Sequence, residues 1–511
     1  MATYDVEQTT RFALEEKRKL IKSLGRFDMV FFTVCAFVGL DTLGTVASNG
    51  AQGFLWLLLT AVLFVAPYML LMAEVGAAFT QEGGPYEWVK MAFGRLHGGI
   101  AAILYWITNP LWVGGSLAFT ATAAWSANIF SIGDASPGDF IFKLSFVWLS
   151  IIVAIVSLRY GKWIPNVGGF MRIFVLGFFT LTLVVYAIRH GVHGFPVSHL
   201  SPTRSIFLAL VPVLLFNYVG FELQNGAAEE MENPEKDVPL AVLWSGLIGV
   251  SLYTIPILGI LLVLPAKAIS NISGFIDAVT TTFDGAYGGA AHVLLIVMTL
   301  CFVGTLLTSG AVWMIGSDRI QAAAAYDGAF FPWFGVFNRR FGTPVRVNVM
   351  SGVASSIFCI AAIELLKNQS TSAAFTVVLY MAISTTLLSY LWIFPAVLKL
   401  RYTHPNVRRP YVVPFGSTGI WVSTILTTGW IALGTWVAIF PGVLEKVFNV
   451  PYNFHDSWGL SRGKFELYTL GTLAVIIAFG LVGYVTGAGV RRNLVAYEGD
   501  TPEATAPVPI A

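Results

Sequence analysis

The chain has 511 residues, of which 56% are hydrophobic and only 11% are charged, and its mean hydropathy is +0.73. Soluble domains carry roughly 25% charged residues, so this composition excludes an ordinary soluble protein and indicates side chains that face lipid or a dry interior. The net charge of +2 gives no global field for nucleic-acid binding, and no nucleic-acid partner is expected.

The three cysteines, Cys35, Cys301 and Cys359, lie far apart inside apolar runs. Their spacing matches neither a CxxC motif nor a Cys/His zinc site, so the sequence predicts no disulfide framework, no metal site and no cofactor. The polar residues 1–26 do not resemble a secretory signal peptide, and the long apolar run after them is predicted to be a retained first span.

Twelve apolar segments are long enough to cross about 30 Å of hydrocarbon, which takes about 20 helical residues. In chain order they lie near 28–48, 53–80, 94–130, 140–158, 165–189, 205–228, 239–265, 289–325, 343–364, 371–400, 418–440 and 465–488. The third and eighth exceed one crossing, so we expect them to tilt or to extend beyond the membrane. The predicted fold class is an all-α polytopic membrane protein with about 12 transmembrane helices.

Basic residues predict the orientation of these spans. With the N-terminus inside, 21 of the 30 Lys and Arg residues fall in inside segments, eight fall outside and Arg172 lies within a span. The positive-inside rule then places both termini in the cytoplasm of a protein in the plasma (inner) membrane. The charged residues 1–20 and the Pro- and Ala-rich residues 498–511 are expected to be disordered.

Ionisable side chains within spans are costly and usually functional, and Asp41, Arg172 and Glu222 are such residues here. Asp41 lies in the first span within AFVGLDTLGTVASNG (36–50), and Glu222 lies in the sixth within LFNYVGFELQNG (215–226). Glycines beside polar groups at mid-span indicate broken helices, whose backbone is tolerated only where protein or a water-filled cavity satisfies it.

A glycine packing seam with one satisfied polar contact per helix is the alternative interpretation of each segment alone. Two such segments five spans apart favour instead a transporter built from inverted repeats, which place broken helices at matching positions. The exposed N-terminal ends of half-helices attract a carboxylate, whereas exposed carbonyls and a side-chain carboxylate attract an ammonium. The pattern therefore predicts a midplane site for an amine-bearing solute such as an amino acid.

Four segments resemble the amino acid–polyamine–organocation transporter family over about residues 25 to 440. They are AEVGAAFTQEGGPYEWVKMAFG (73–94), NVGGFMRIF (166–174), VGFELQNGAAEEMENPEKDVPLAV (219–242) and AAAAYDGAFFPWFGVFNRRFGTPV (322–345). Within the family, the Gly-x-Glu of the sixth span and the Trp of the eighth are similar to those of the arginine/agmatine and glutamate/GABA antiporters. The local Gly-Leu-Asp of the first span is similar to plant polyamine transporters.

The resemblance implies a leucine-transporter-like 5+5 inverted repeat with broken helices 1 and 6. The expected organisation is a cytoplasmic tail over 1–26, a ten-helix core over 27–400 with repeats of about 27–190 and 204–400, two additional helices over 401–490 and a cytoplasmic tail over 491–511. Two features depart from the family pattern. The usual Gly-Ser-Gly of the first span is Ala36-Phe37-Val38 here, and Ser309 replaces the acid that the glutamate/GABA antiporter carries one turn before its Trp.

The residues and the resemblance together give one set of candidate site residues. The predicted substrate-binding residues are Val38, Gly39, Asp41, Thr42, Phe216, Asn217, Gly220 and Trp313, and the predicted coupling residues are Glu222 and Arg172. Asp41 is the candidate ligand of an ammonium, or else it caps a broken helix or forms a salt bridge. Trp313 provides a cation–π face or packing, and Phe216 is either a gate or part of the core.

Glu222 is the candidate proton carrier, since a carboxylate in a dry site can exchange protons near neutral pH. Its alternative role is a structural hydrogen bond across the break. The resemblance places Arg172 where several sodium-independent members carry a basic side chain, so a fixed guanidinium would replace a sodium ion. Its alternative role is structural, either by snorkelling to the membrane interface or by pairing with Glu222 or Asp41.

The sequence therefore predicts a sodium-independent secondary transporter of amino acids or related amines, acting by proton symport or substrate exchange. Uptake of polyamines or other organic amines is the alternative substrate class. A channel would need a continuous polar pore, a membrane sensor would need a signalling domain, and the chain carries no HExxH, GxSxG or P-loop motif of an enzyme. The expected partners are the small solute, protons and the lipid bilayer, and nothing in the sequence indicates an oligomeric state.

Overall fold

The computed structural model describes residues 7–20, 22–160, 163–195, 197–265, 274–366 and 371–497. Within these ranges the chain folds into helices that match the predicted spans, and the spans are numbered here in chain order. Spans one to six are Arg26–Phe37 with Leu43–Ala47, Gly50–Ala78, Arg95–Asn128, Pro137–Tyr160, Trp163–His190 and Arg204–Asn217 with Leu223–Glu230. Spans seven to twelve are Pro234–Val263, Ala291–Tyr326, Val345–Leu366, Thr371–Thr403, Gly416–Ile439 and Arg462–Thr486.

Short elements connect the spans. The helices are Arg11–Lys17, Pro85–Phe93, Gly274–Tyr287, Val443–Val447, Phe454–Trp458 and Ala488–Arg491, and the 3-10 turns are Val197–Leu200, Gly288–Ala290 and Pro332–Gly335. Two strands, Glu7–Thr10 and Leu494–Tyr497, pair antiparallel. The N-terminal tail was expected to be disordered over 1–20, but residues 7–17 form a strand and a helix because the C-terminal strand provides a pairing partner. The predicted tail 498–511 lies outside the described residues.

Ten helices in the described part of the chain are long and apolar enough to cross a membrane. The two predicted spans missing from that set are spans one and six, which are shorter because each is interrupted. The third and eighth spans are long, as predicted, with span eight running over 36 residues. The all-α membrane fold with breaks in helices 1 and 6 is thus confirmed.

The interruption of span one lies between Phe37 and Leu43, and that of span six lies between Asn217 and Leu223. In span six the backbone of Gly220 adopts φ +123°, a conformation that a residue with a side chain rarely adopts. Both interruptions are buried in the bundle rather than exposed to its lipid-facing surface. They satisfy the requirement that non-helical backbone at membrane depth be enclosed by protein.

Spans three and ten lie at the centre of the bundle. Their most apolar windows are 94% and 83% buried, against 28% for span twelve, which lies at the periphery. Span three also carries Pro110 and an adjoining π-helical stretch, Val113–Leu117, where the helix widens. The two central spans therefore flank the interruptions and can present side chains to them.

The two ends of the described chain lie on one side of the bundle, termed the terminal side, because the strand Glu7–Thr10 pairs with the strand Leu494–Tyr497. Ion pairs close this side. Arg319 Nη2 lies 2.9 Å from Glu230 Oε1, and Lys17 Nζ lies 2.6 Å from Glu229 Oε1. Burial, together with the nearby Glu230 carboxylate, raises the pKa of Glu82, which also faces Arg319. The first ion pair holds span eight to the end of span six, and the second holds the N-terminal helix Arg11–Lys17 to it, on the side that we predict to be cytoplasmic.

Candidate functional site

A cavity with about 350 Å³ of atom-free space lies at the level of the two interruptions. Its lining comes from spans one, three, six, seven and eight and consists of Ala36, Phe37, Gly39, Asp41, Thr42, Thr108, Asn109, Trp112, Phe216, Asn217, Tyr253 and Trp313.

The structure brings most of the predicted substrate-binding residues together around this cavity. Those that line it are Gly39, Asp41, Thr42, Phe216, Asn217 and Trp313. Val38 lies behind the cavity, where its carbonyl oxygen accepts a hydrogen bond from Arg172. Gly220 lies against the Trp313 ring, and a Cβ atom at Gly220 would come within 3.2 Å of the indole.

Asp41 is 1% exposed, and its two carboxylate oxygens have different surroundings. Oδ2 accepts hydrogen bonds from Trp112 Nε1 at 2.8 Å and from Ser116 Oγ at 2.7 Å, both from span three. Oδ1 is buried and has no hydrogen-bond partner among the described residues. Span three therefore fixes the carboxylate in place and leaves one anionic oxygen available at the cavity.

Three neutral side chains around the cavity also carry buried polar atoms without a partner in the described chain. They are Thr42 Oγ1, Asn109 Oδ1 and both amide atoms of Asn217. Buried polar atoms in folded proteins are nearly always hydrogen-bonded. Together with Asp41, four residues around one cavity have a buried polar atom without a hydrogen-bond partner among the described residues. This pattern indicates that the cavity holds a polar solute or water.

Aromatic rings form the other walls of the cavity. The Trp112 ring packs edge-on against Phe216 at 5.9 Å and against Trp313 at 6.2 Å between centroids. Trp313 Nε1 donates to the Ala36 carbonyl at 2.9 Å, which ties span eight to the broken part of span one. Indole faces beside a carboxylate provide a favourable environment for an ammonium group.

Glu222 is fully buried and lies at the end of the interruption of span six, directly before Leu223–Glu230. Its Oε1 accepts hydrogen bonds from Tyr105 at 2.6 Å and from Tyr390 at 2.5 Å, and its Oε2 accepts one from Tyr68. Tyr105 packs against Trp313 with 5.9 Å between ring centroids. This tyrosine cage around Glu222 thus adjoins the aromatic wall of the cavity.

Arg172 is fully buried and joins span five to spans one and eight. Nε donates to Val38 O at 3.0 Å, and Nη1 donates to Gly168 O at 2.7 Å and to Thr308 Oγ1 at 3.2 Å. Nη2 donates to Thr305 O at 2.8 Å and to the Ser309 hydroxyl.

All five N–H groups of this guanidinium are therefore used. Its partners are carbonyl and hydroxyl oxygens, the kind of ligands that a hard cation takes. Pairing of Arg172 with Glu222 or Asp41, one of the two interpretations from sequence, is not what the structure shows.

Several residues of the site were not predicted from the sequence. Thr108, Asn109 and Trp112 of span three and Tyr253 of span seven line the cavity. The polar pair before Pro110, within an otherwise apolar segment, is a signal that could have identified span three. The tyrosines give no such signal, because a tyrosine in a span is compatible with packing or with the membrane interface.

No group of three or more His, Cys, Asp or Glu side chains arranged to hold a metal ion occurs among the described residues. The sequence prediction of no metal site stays a prediction for the whole chain.

Residues 24–455 match a family model described as amino acid permease. The chain is 27% identical over 399 residues to a probable agmatine/putrescine antiporter of Lactococcus lactis subsp. lactis, which covers 77% of this chain and 83% of that protein. It is 30% identical over 408 residues to an uncharacterized transporter of Legionella pneumophila subsp. pneumophila, covering 78% and 85% of the two chains.

A third relative is a glutamate/gamma-aminobutyrate antiporter of Lactococcus lactis subsp. lactis, 22% identical over 419 residues that cover 77% of this chain and 79% of that one. Among solved structures, the Eremococcus coleocola manganese transporter in complex with an aromatic bis-isothiourea substituted compound superposes with a TM-score of 0.58. The superposition covers 96% of this chain and 100% of the other at 12% identity. At that identity the likeness concerns the fold alone.

Proposed function

The chain belongs to the amino acid permease family, and we propose that it is a sodium-independent secondary transporter of amino acids or related amines. Transport proceeds by alternating access, with proton symport or substrate exchange as the coupling. Support comes from two relatives that are named as antiporters of an amine pair and of an amino acid pair. The proposed location is the plasma membrane, with both termini in the cytoplasm.

The observation that carries the proposal is the set of unpartnered polar atoms around a cavity between two broken helices. Asp41 Oδ1 and the amide of Asn217 belong to different interrupted spans, yet both lie at the same cavity without partners among the described residues. A solute with an ammonium group would satisfy the carboxylate and the amide oxygen together. It would also link the two halves that must move relative to each other in alternating access.

The coupling residues have the geometry that the proposal needs. Arg172 is proposed to take the place of a sodium ion, and its five hydrogen bonds to oxygens of spans one, five and eight support that role. Glu222, held by Tyr68, Tyr105 and Tyr390, is the proposed proton carrier.

Uptake of polyamines or other organic amines is the second candidate. The similarity to a probable agmatine/putrescine antiporter favours it, as does the carboxylate of Asp41 at the cavity. Both candidates place the substrate ammonium at Asp41, and they differ in whether the substrate carries a carboxylate.

Flux in proteoliposomes tests the proposed function. Purified protein is reconstituted, and uptake of radiolabelled amino acids, γ-aminobutyrate and polyamines is followed with sodium, potassium or choline outside at constant pH. We expect saturable uptake of at least one amine that is unchanged without sodium and, for an exchanger, faster when the same solute is present inside. Unsaturable flux would indicate a channel, and sodium-dependent uptake would contradict the proposed coupling.

A further inference from the structure

The charges around the cavity are strongly asymmetric. Asp41 is the one carboxylate in the lining, and neither Lys, Arg nor His lines the cavity in the described part of the chain. Arg172 does not line the cavity, and its five donors are already bound to oxygens of spans one, five and eight. The cavity thus offers a negative group for an ammonium and no cationic side chain for a carboxylate.

In the interruption of span one, the backbone N–H of Gly39 already has a hydrogen-bond acceptor. Gly39 N donates a 2.7 Å hydrogen bond to the Tyr253 hydroxyl, which in turn donates to Phe37 O at 3.0 Å. One phenol of span seven thereby satisfies a donor and an acceptor that the interruption has released. Gly39 N–H is then not available to bind a substrate carboxylate.

A tyrosine also accepts a hydrogen bond from the glycine in the interruption of span six. Gly220 N donates to the Tyr68 hydroxyl of span two at 3.0 Å. Spans two and seven are equivalent positions in two five-span repeats. Each repeat therefore provides a tyrosine that binds the glycine N–H in the broken helix of the other repeat.

Three of the unpartnered side-chain atoms around the cavity are acceptors, namely Asp41 Oδ1, Asn109 Oδ1 and Asn217 Oδ1, and the other two are the Thr42 hydroxyl and the Asn217 amide nitrogen.

We propose that the cavity selects amines that lack a carboxylate beside the amino group, and that Asp41 and Tyr253 are the residues that exclude the carboxylate. The inference rests on the proposed function and narrows its substrate class. Asp41 binds the ammonium and repels an anion, and Tyr253 removes the backbone donor that an α-carboxylate would use.

Matched pairs of compounds that differ only by the carboxylate test the inference. Putrescine is compared with ornithine, and agmatine with arginine, as competitors of labelled amine uptake in proteoliposomes of the full chain. We expect each amine to compete at least tenfold more strongly than its carboxylated partner. Equal or stronger competition by the amino acid of both pairs would overturn the inference while leaving the transporter proposal intact. Absence of saturable uptake for every amine and amino acid would instead contradict the proposed function.

Two variants test which residues cause the selectivity. Asp41→Asn should lower amine affinity at least tenfold. It should also bring the ratio of competition by the amine to competition by its carboxylated partner close to one in each pair. Tyr253→Phe should lower the ratio at least threefold by releasing Gly39 N–H for a carboxylate. Tyr380→Phe is the matched control, because Tyr380 is a buried tyrosine that donates to Ala209 O at 3.0 Å away from the cavity, and it should keep the wild-type ratio.

An unchanged ratio in folded Asp41→Asn protein, judged by a single symmetric peak in size-exclusion chromatography, would contradict the role of Asp41. An unchanged ratio in Tyr253→Phe would contradict the role of Tyr253. If Tyr253→Phe does not fold, the wild-type ratios and those of Asp41→Asn still decide the inference.

Discussion

Replacement of Glu222 by glutamine is the sharpest test of the proposed proton coupling. Oε1 of Glu222 accepts from Tyr105 and Tyr390, and a glutamine carbonyl oxygen can keep both bonds. Oε2 accepts from Tyr68, and an amide nitrogen in its place cannot accept that bond. The substitution therefore removes one hydrogen bond to a charged group, which contributes about 1.5–3 kcal/mol.

We expect Glu222→Gln to fold, to bind amine and to exchange it with a rate that no longer depends on pH. The physical reason is that the amide keeps the shape and two of three contacts but cannot bind or release a proton in this range. The assay is the initial rate of amine uptake into proteoliposomes across about pH 5 to 8, a range in which buried carboxylates can titrate. Thermal unfolding of the purified protein measures the loss of stability in parallel.

Tyr68→Phe is the matched control for this experiment. It removes the same Tyr68–Glu222 bond but keeps the carboxylate, and it also leaves Gly220 N without its partner. We therefore expect Tyr68→Phe to be at least as destabilised as Glu222→Gln while its uptake still depends on pH. A Glu222→Gln protein with the wild-type pH profile would refute the coupling role of Glu222 and leave it a structural hydrogen-bond acceptor.

Three further predictions follow from the site and the charge pattern. Arg172→Gln should lower uptake more than tenfold in proteoliposomes, because it leaves Val38 O without the guanidinium that joins spans one and five, and wild-type-like uptake would contradict the cation role. Asp41→Asn should weaken putrescine binding by about 10- to 150-fold in isothermal titration, the equivalent of about 1.5–3 kcal/mol, whereas Ser116→Ala keeps the carboxylate and should weaken it less. A reporter fused after Ala511 should be accessible only from the cytoplasm, and labelling from outside intact cells would contradict the predicted topology.

The interruptions were predictable because their signals are local. Gly39 and Asp41 in span one, and Gly220 and Glu222 in span six, are unfavourable in a lipid-facing helix whatever surrounds them. The structure places both interruptions where the sequence predicted them, and most of the predicted binding residues line one cavity. The functional roles of these residues stay predictions until the variants are measured.

The partners of these residues were not predictable in the same way. From the sequence, Arg172 was compatible with a pair to Glu222 or Asp41, but the structure directs its donors to carbonyl and hydroxyl oxygens. Glu222 instead meets three tyrosines from spans two, three and ten. Which helices meet at the interruptions depends on the packing of distant spans, which no local pattern encodes.

The sequence by itself determined the membrane class, the approximate number and bounds of the spans and the positions of both interruptions. Hydropathy, glycine and charge act at each position against the same apolar solvent, so their consequences can be read one segment at a time. Only the tertiary structure decided that Trp112 and Ser116 hold Asp41, and that Tyr253 and Tyr68 bind the N–H groups of Gly39 and Gly220. Those contacts depend on the rotation and crossing of helices far apart in the chain, and close packing of side chains sets both.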